Sequence, residues 1–362
     1  MRAVICRRFD GIDALELGEF ADPLPAPGQV LVDVHAAALN FMDTLMVAGS
    51  YQMKPALPFV PGSGAAGVVL AVGDGVARVR VGDRVACSHW HGGMAERMVA
   101  PESNVVKLPD SIGFETGSTV RYAYGTAHYA LVARAQLRPG ETVFVSGAAG
   151  GVGMAAVDVA RHAGATVIAG TGSPSKGEVA RHQGAAHAID YSSEPVRDRL
   201  LELTQGRGVD VYFDTVGGAL FAAVSRAMAW GGRVLPVGFA SGEVPTLAMN
   251  LPLLKNYSVV GCYWGAWAER QPHQCRAADE QLLDAVAKGI LRPPLPDVLP
   301  MSSVAEGLHR IANRQATSRM VLRVKPLTCG DSSPPWLPSS LLERGRRDMR
   351  IEAQYLTAPG GC

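Results

Sequence analysis

The strongest constraint on the fold is a glycine-rich turn between an apolar segment and an amphipathic one. Residues 143–176 read VFVSGAAGGVGMAAVDVARHAGATVIAGTGSPSK. A strand that enters a helix through such a turn, and is followed by a second apolar strand, is typical of a βαβ unit. The stretch therefore predicts a parallel sheet covered by helices rather than one long helical bundle.

The turn also has the features of a dinucleotide-binding site. A helix is predicted to begin near Val152, so that its first N–H groups face the phosphates. Gly150 lets the backbone approach a pyrophosphate, and Gly153 lets the helix pack closely on the strand. The strict pattern G-x-G-x-x-G is not met, because Ala148 occupies the first glycine position, and a tight turn without nucleotide is the alternative. The predicted cofactor-binding residues of the turn are Ala149, Gly150, Gly151 and Val152.

The end of the second strand lacks a carboxylate, and this indicates which nucleotide is bound. A site for NAD places Asp or Glu about 20 residues after the glycine turn, against the ribose 2′-hydroxyl. Here the strand ends in IAGTGSPSK, which contains Gly172, Ser173 and Lys176. A hydroxyl and an ammonium group attract a 2′-phosphate that a carboxylate would repel, so the sequence favours NADPH. Tyr191 is expected to add a hydrogen bond, and the alternative for Lys176 is an ordinary solvated lysine.

Two different sequence patterns divide the chain. Residues 29–40, 65–73 and 82–89 are short strand-like runs bounded by Gly, Pro and Asp, as in an irregular barrel. From residue 122 about six apolar runs alternate with helical patterns, which indicates a doubly wound parallel sheet. A helix over 270–288 and a final strand, RMVLRV, are expected to return to the first domain. The predicted fold is α/β, with a barrel domain over 1–121, a parallel-sheet domain over 122–262, the return over 263–325 and a disordered tail over 326–362.

The charge balance and the cysteines limit the classes of partner. A formal net charge of +1 gives no reason to expect nucleic acid or an acidic membrane surface as partner. The N-terminal residues lack the apolar core of a signal peptide, and no run of 18 apolar residues is found, so we expect a cytoplasmic protein. The six cysteines have no paired spacing, which favours reduced thiols over a disulfide framework.

Taken together, these motifs resemble the medium-chain dehydrogenase/reductase superfamily, and within it the NADPH:quinone oxidoreductase (zeta-crystallin-like) branch. The matching pieces lie within residues 1–324 and are VHAAALNFMDTLMVAGSYQMKPALPFVPGSGAAG, VGDRV, GGMAERMVA, AYGTAHYAL, GAAGGVGMAAV and RVLPVGFASGEVP. The resemblance implies a GroES-like β-barrel catalytic domain built from both chain ends, a Rossmann domain between them, and an active site in the cleft. It also implies a homodimer formed through the edge strand of the Rossmann sheet, here Tyr257–Tyr263.

The resemblance also bears on metal binding. Zinc-dependent members of the superfamily hold their metal with Cys and a His-containing element, and the equivalent positions here are Asn40 and Ser63–Gly64. Because neither Asn nor Ser is a good zinc ligand, the resemblance implies a zinc-independent protein with no metal-binding residues. The segment CSHWHGG offers an alternative metal site at Cys87, His89 and His91, since alternate residues of a strand share one face.

Three residues are implied on the nicotinamide and substrate side of the cleft. Asn40 offers a neutral donor to a developing oxyanion, Tyr51 donates a proton or shapes the pocket, and Asp43 orients its neighbours. The cofactor-binding positions that the resemblance adds are Thr126, Phe239, Ser241 and Arg314. The chain departs from the pattern at Gly64, where many relatives have Glu. It departs again at Arg121, expected in a surface salt bridge or, alternatively, against an anionic substrate group.

The expected activity is NADPH-dependent reduction of a quinone by hydride transfer from nicotinamide C4. A conjugated acceptor delocalises the incoming charge onto oxygen, so it needs only positioning and a hydrogen bond. Two alternatives stay open. One is an enoyl-thioester or 2-alkenal double-bond reductase of the same fold, and the other is a low-turnover NADPH-binding protein with a structural or RNA-binding role.

Overall fold

The computed structural model describes residues 1–325, and the predicted tail at 326–362 lies outside the described residues. The strands are β1 Arg2–Cys6, β2 Leu15–Glu19, β3 Gln29–Leu39, β4 Gly64–Val72, β5 Arg84–Ser88, β6 Arg97–Pro101, β7 Val105–Lys107, β8 Thr142–Ser146, β9 Thr166–Thr171, β10 His187–Asp190, β11 Val209–Asp214, β12 Met228–Pro236, β13 Ser258–Val259, β14 Asp297–Pro300 and β15 Met320–Arg323. The helices are α1 Phe41–Val47, α2 Phe114–His128, α3 Gly151–His162, α4 Pro174–His182, α5 Val196–Leu203, α6 Gly218–Ser225, α7 Asn250–Lys255, α8 Trp264–Arg270, α9 Pro272–Ala287 and α10 Val304–Ala312.

The middle of the chain forms the predicted doubly wound parallel sheet. Its strand order is β10-β9-β8-β11-β12-β13, and every pairing is parallel. The central strand β8 is buried along its whole length, since helices cover both faces of the sheet. In chain order the strands lie 3-2-1-4-5-6, so the direction of winding reverses between β8 and β11, where doubly wound sheets bind their ligands.

The two chain ends together build the second sheet. Its order is β14-β15-β3-β4-β5-β7, and β6 also pairs with β3. The long strand β3 is the centre of this sheet. Its register against β4 shifts at two irregular positions, and such bulges curve the sheet toward a barrel. The last strand, β15, pairs antiparallel with β3, with Met320 opposite Leu39. Residues from both ends of the chain therefore pair in one sheet, and the predicted mixed α/β fold is confirmed.

Helix α2 joins the two sheets. It packs on β3, β4 and β5 of the barrel and on α3 of the parallel-sheet domain, and it crosses the boundary placed at 121/122. Twelve of its fifteen residues are buried, so side chains from this one helix can reach both domains. Within residues 1–325 no helix is both long enough and apolar enough to cross a lipid bilayer.

One predicted helix ends early. The pattern of residues 220–231, LFAAVSRAMAWG, predicts a single helix, but α6 ends at Ser225 and strand β12 begins at Met228. Met228 is fully buried and pairs with Val209 of β11, after which the register shifts. Pairing and burial in the sheet override the helical pattern here, and Gly231, at φ 72°, provides the irregular backbone.

Candidate active site

A cavity of about 520 Å³ lies between the two sheets, at the carboxyl ends of the central parallel strands. It is lined by residues that follow β8, β9, β11 and β12 on one side and by β3, α1 and β15 on the other. The sequence-predicted site residues that line it are Asn40, Tyr51, Thr126, Ala149, Gly150, Gly151, Val152, Gly172, Lys176, Tyr191, Phe239 and Arg314. Asp43, Ser173 and Ser241 do not line it.

The glycine turn has the geometry that a close phosphate contact needs. Gly147 has φ 62°, a left-handed conformation that favours glycine, and Gly150 precedes α3 as its N-cap residue. A Cβ atom at Gly153 would lie 2.2 Å from the Gly147 carbonyl oxygen, so only glycine allows the helix to start this close to the strand. The turn therefore presents the N-terminus of α3 to the cavity.

One end of the cavity, the cationic end, is formed by Lys176, Tyr191 and Arg314. The Lys176 ammonium donates a hydrogen bond to the Arg314 carbonyl oxygen, and Arg314 Nη2 donates to the Ala240 carbonyl at 2.9 Å. The Tyr191 hydroxyl oxygen would lie 3.3 Å from a Cβ atom at Gly172, so this ring packs directly on the end of β9. The sequence placed these groups far apart in the chain, and the fold brings them together.

The hydroxyl groups of two predicted site residues, Ser173 and Ser241, bond to backbone N–H groups and do not line the cavity. Ser173 is the N-cap residue of α4, and its hydroxyl oxygen accepts the Lys176 backbone N–H at 3.4 Å. The Ser241 hydroxyl accepts the Glu243 N–H at 3.2 Å within a surface loop. Ser173 thus fixes the start of the helix that carries Lys176, while Lys176 itself reaches the cavity.

A buried polar network occupies the floor of the cavity. Asn40 Nδ2 donates to Ser63 Oγ at 2.9 Å, and Arg319 Nη2 donates to Asn40 Oδ1 at 2.6 Å. The guanidinium also packs against the glycine turn, because a Cβ atom at Gly151 would lie 2.0 Å from Arg319 Nη1. Burial lowers the pKa of Arg319, and its Nε lacks a hydrogen-bond partner within residues 1–325. A buried, partly unpaired guanidinium beside a helix N-terminus fits an anionic ligand group.

Asp43 supports this network from behind. Its Oδ2 accepts the Asn40 backbone N–H at 2.7 Å, and the residue is fully buried in α1. Burial raises the pKa of the Asp43 carboxyl to about 7, although the Asn40 amide and the Arg319 guanidinium act to lower it. Because the carboxyl is outside the cavity lining, its contacts are those of a group that orients Asn40.

The residues at the floor do not fit a zinc ion. Asn40 and Ser63 bond to each other, and the cationic Arg319 occupies the space beside them, where it would repel a metal cation. Cys87 and His89 do not share a face as expected, because β5 ends at Ser88. The Cys87 thiol points into the barrel core, toward the Ala65 carbonyl at 3.5 Å, whereas His89 lines the cavity. Within residues 1–325 no group of three or more His, Cys, Asp or Glu side chains is placed to hold a metal.

The other end of the cavity, the aromatic lobe, is lined by Tyr51, Trp90, Tyr122, Tyr263 and Trp264. The Tyr51 and Trp90 ring centroids are 6.4 Å apart, and Tyr122 contacts Trp264 edge-on at 5.9 Å. Burial raises the pKa of Tyr122 to about 12, and Asp43 adds to the shift. Burial raises the pKa of Tyr51 as well, so Tyr51 and Tyr122 are neutral hydrogen-bond donors at physiological pH. Flat aromatic walls with neutral donors suit a planar, uncharged ligand.

The structure also places at the cavity several residues that sequence reasoning did not assign to it. Arg319 opens the predicted strand RMVLRV, which contains a second arginine, so its charge gave no distinct signal. Arg121 pairs with a carboxylate as expected, but the expected surface position is wrong, because the pair with Asp279 is buried. Trp90, Tyr122 and Trp264 gave no local signal, since an aromatic residue in a strand end or helix is usually part of a core.

Two family models match separate parts of the chain. Residues 26–110 match the alcohol dehydrogenase GroES-like domain family, and residues 151–283 match the zinc-binding dehydrogenase family. The second description names a metal for which the floor of this cavity has no ligands.

Individual relatives span nearly the whole chain. A quinone oxidoreductase-like protein 2 homolog from Nematostella vectensis is 37% identical over 90% of this chain and 89% of its own length. The solved quinone oxidoreductase of Pseudomonas syringae superposes with a TM-score of 0.83 at 33% identity, covering 89% of this chain and 99% of that one. A mycobacterial protein solved as a complex with NADPH has a TM-score of 0.83 at 28% identity, covering 89% of this chain and 100% of that one.

Proposed function

This chain belongs to the quinone oxidoreductase branch of the medium-chain dehydrogenase/reductase superfamily, and from that premise we propose that it is an NADPH-dependent quinone reductase. The observation that carries the proposal is one continuous cavity whose two ends differ in chemistry. Its cationic end suits a phosphorylated ribose, and its aromatic lobe suits a flat neutral acceptor. Such a cavity holds a charged donor and an uncharged acceptor side by side.

The cationic end is proposed to distinguish NADPH from NADH. Lys176 and Arg314 supply positive charge where the ribose 2′-phosphate would lie, and Tyr191 supplies a hydroxyl donor beside them. The NADPH complex of the mycobacterial relative supports this assignment. The glycine turn and the buried Arg319 guanidinium are proposed to hold the pyrophosphate. The cofactor, when bound, supplies the hydride.

The aromatic lobe is proposed to bind and polarise the acceptor. Tyr51 and Tyr122 offer neutral hydroxyl donors to the oxygen on which charge develops, and Asn40, held by Asp43 and Arg319, is fixed in orientation. Burial keeps the tyrosine hydroxyls protonated, so they stabilise the oxyanion by donating a hydrogen bond rather than by giving up the proton. Solvent at the open mouth of the cleft then provides the proton.

The experiment is a direct comparison of acceptors. Purified protein is mixed with NADPH or NADH and with 1,4-benzoquinone, a naphthoquinone, an alkenal or acryloyl-CoA, and loss of the reduced-nicotinamide absorbance is followed. Rapid oxidation of NADPH by the quinones is the expected result. Oxidation by the CoA thioester alone would instead identify an enoyl-thioester reductase, and binding of NADPH without turnover of any acceptor would identify a binding protein.

We also propose a homodimer formed through β13. This short strand is the edge of the parallel sheet, and an exposed edge strand invites pairing with another strand. Large apolar side chains are exposed beside it, namely Met249, Leu253, Leu254, Val259 and Tyr263. A second copy of the chain, adding its own β13, would cover this surface and continue the sheet.

A further inference from the structure

Arg121 is the centre of a buried polar cluster at the wall of the aromatic lobe. Its Nε donates to Asp279 Oδ2 at 2.7 Å, and its Nη1 donates to the Ser88 hydroxyl. Its Nη2 lies 3.8 Å from the Cys275 thiol. Arg121 is 3% exposed and Asp279 is 2% exposed. Taking two charges out of water costs several kcal/mol per ion, so a pair in this position calls for an explanation other than general stability.

The cluster connects the elements that carry the two tryptophans of the lobe. Ser88 is the last residue of β5, and Trp90 follows it two positions later. Asp279 belongs to α9, which follows α8 directly, and Trp264 is the first residue of α8. The Arg121 guanidinium carbon also lies 5.6 Å from the centre of the Trp264 ring, within cation–π range. One side chain on α2 thus holds both walls.

Each tryptophan also packs on a glycine of another element, Trp90 on Gly265 of α8 and Trp264 on Gly125 of α2. A Cβ atom at Gly265 would lie 2.8 Å from the Trp90 ring, and one at Gly125 would lie 3.0 Å from the Trp264 ring. Trp90 Nε1 donates to Glu269 Oε1 at 2.6 Å, which ties the end of β5 to α8 a second time. With so little clearance, a small shift of β5 or α8 changes the shape of the lobe.

We propose that Arg121 is a positioning residue for the electron acceptor: through its pair with Asp279 it fixes Trp90 relative to Trp264, and so selects acceptors with extended flat ring systems. This inference rests on the proposed reductase function and adds the residue that sets the shape of the acceptor site. The guanidinium suits this role because it is planar and its five N–H groups point in fixed directions. It therefore fixes the positions of its partners, whereas an apolar contact has no preferred direction.

The same pair keeps the wall electrically neutral. Asp279 cancels the Arg121 charge inside the protein, so Arg121 is not free to bind a phosphate or a carboxylate of a substrate. Glu269, which accepts the Trp90 hydrogen bond, also lines the cavity, and its carboxylate repels anions. The lobe therefore favours neutral quinones over acceptors that carry phosphate groups near the reacting carbon.

The test replaces the ion pair by apolar side chains in the double variant Arg121→Met/Asp279→Leu, because removing one partner alone would leave a buried unpaired charge. KM and kcat are measured for 1,4-benzoquinone and for phenanthrenequinone, together with the dissociation constant of NADPH. We expect the KM of the three-ring quinone to rise about tenfold, the KM of the one-ring quinone to change less than threefold, and NADPH binding to stay within twofold. Tenfold corresponds to about 1.4 kcal/mol.

A matched control is available in the pair Arg233 and Glu141, which is joined by hydrogen bonds of 2.8 and 2.7 Å and does not line the cavity. The variant Arg233→Met/Glu141→Leu is expected to lower the melting temperature without changing the ratio of the two KM values. If the Arg121 double variant does not fold, Arg121→Lys, which keeps the charge and loses the planar fork, is measured instead and is expected to change the ratio in the same direction.

The outcomes separate this inference from the function on which it rests. A wild-type protein that turns over no quinone contradicts the proposed function. A wild-type protein that reduces both quinones, with an unchanged KM ratio in the Arg121 variants, contradicts only the positioning role. An equal rise of both KM values, or a loss confined to NADPH binding, contradicts it as well.

Discussion

Arg319 Nη2 lies 2.6 Å from Asn40 Oδ1, although the two residues are 279 positions apart in the sequence. The contact joins the residue before the last strand, β15, to the N-cap residue of α1 and places a guanidinium against the glycine turn of the other domain. Through this contact the cofactor turn, the barrel floor and the oriented amide of Asn40 form one unit. Several measurements can test how that unit and the two ends of the cavity work.

Lys176→Ala should separate the two nicotinamide cofactors. A hydrogen bond to a charged group contributes about 1.5–3 kcal/mol, so we expect the KM for NADPH to rise roughly tenfold or more and the KM for NADH to stay almost constant. Steady-state kinetics with both cofactors measures the change, and Lys288→Ala, a surface lysine paired with Asp284, is the control. An equal effect on both cofactors would show that Lys176 does not contact the 2′-phosphate.

Gly151→Ala should weaken both cofactors alike. The added Cβ would lie 2.0 Å from Arg319 Nη1, so either the guanidinium or the turn must move. We expect the affinity for NADPH and for NADH to fall about tenfold, because the displaced groups face the part that the two cofactors share. Fluorescence titration gives both dissociation constants. Gly261→Ala, where a Cβ meets no atom within 4 Å, should leave them unchanged, and a selective loss of NADPH would refute the assignment.

Tyr122→Phe should slow the reduction of quinones without affecting the cofactor. The variant loses one neutral donor from the aromatic lobe and keeps the ring that packs on Trp264. Since a single hydrogen bond contributes about 0.5–1.5 kcal/mol, kcat should fall about three- to tenfold while the KM for NADPH is maintained. Tyr129→Phe, at a ring that stacks on Trp267 and does not line the cavity, provides the comparison. A kcat equal to that of the wild type would remove Tyr122 from the mechanism.

Asp43→Asn should change how stability depends on pH. Burial raises the pKa of the folded-state carboxyl to about 7 from its ordinary value of 3.8, so the folded protein binds a proton that the unfolded chain releases. This contribution favours folding below the unfolded pKa and is lost as pH rises toward 7. From pH 5 to pH 8 the variant should gain about 2 kcal/mol in the free energy of unfolding relative to the wild type. Urea unfolding at the two pH values measures the free energy of unfolding of each protein. Equal changes in the wild type and the variant would contradict the raised pKa of Asp43.

Val259→Lys should break the proposed dimer. The substitution places a charge on an exposed edge strand, a position where lysine opposes pairing between sheets. Sedimentation velocity is expected to give a dimer for the wild type and a monomer for the variant. Leu24→Lys, at another strongly exposed apolar residue, should remain dimeric. A wild-type protein that sediments as a monomer would eliminate the dimer.

Local patterns were enough to predict the parallel sheet, and they also singled out the glycine turn and Lys176, both of which line the cavity. The alternation of apolar strands and helices predicted the six strands along the chain. The glycine turn predicted the start of α3 to within one residue. Lys176 follows the end of β9 closely in the chain, so its position near the cavity could be predicted from the neighbouring sequence. Ser173 shows where such reasoning stops, because its hydroxyl is used by the helix that it caps.

What the sequence alone determined is therefore the set of elements, because strand and helix periodicity is encoded over a few residues. The floor and the aromatic lobe of the cavity, in contrast, depend on contacts that form only in the folded chain. The contacts between Arg319 and Asn40 and between Arg121 and Asp279 join residues 279 and 158 positions apart, and no local pattern specifies such a pairing. One is a hydrogen bond from a guanidinium to an amide and the other an ion pair, and each forms only because the packing of distant elements brings its two partners together.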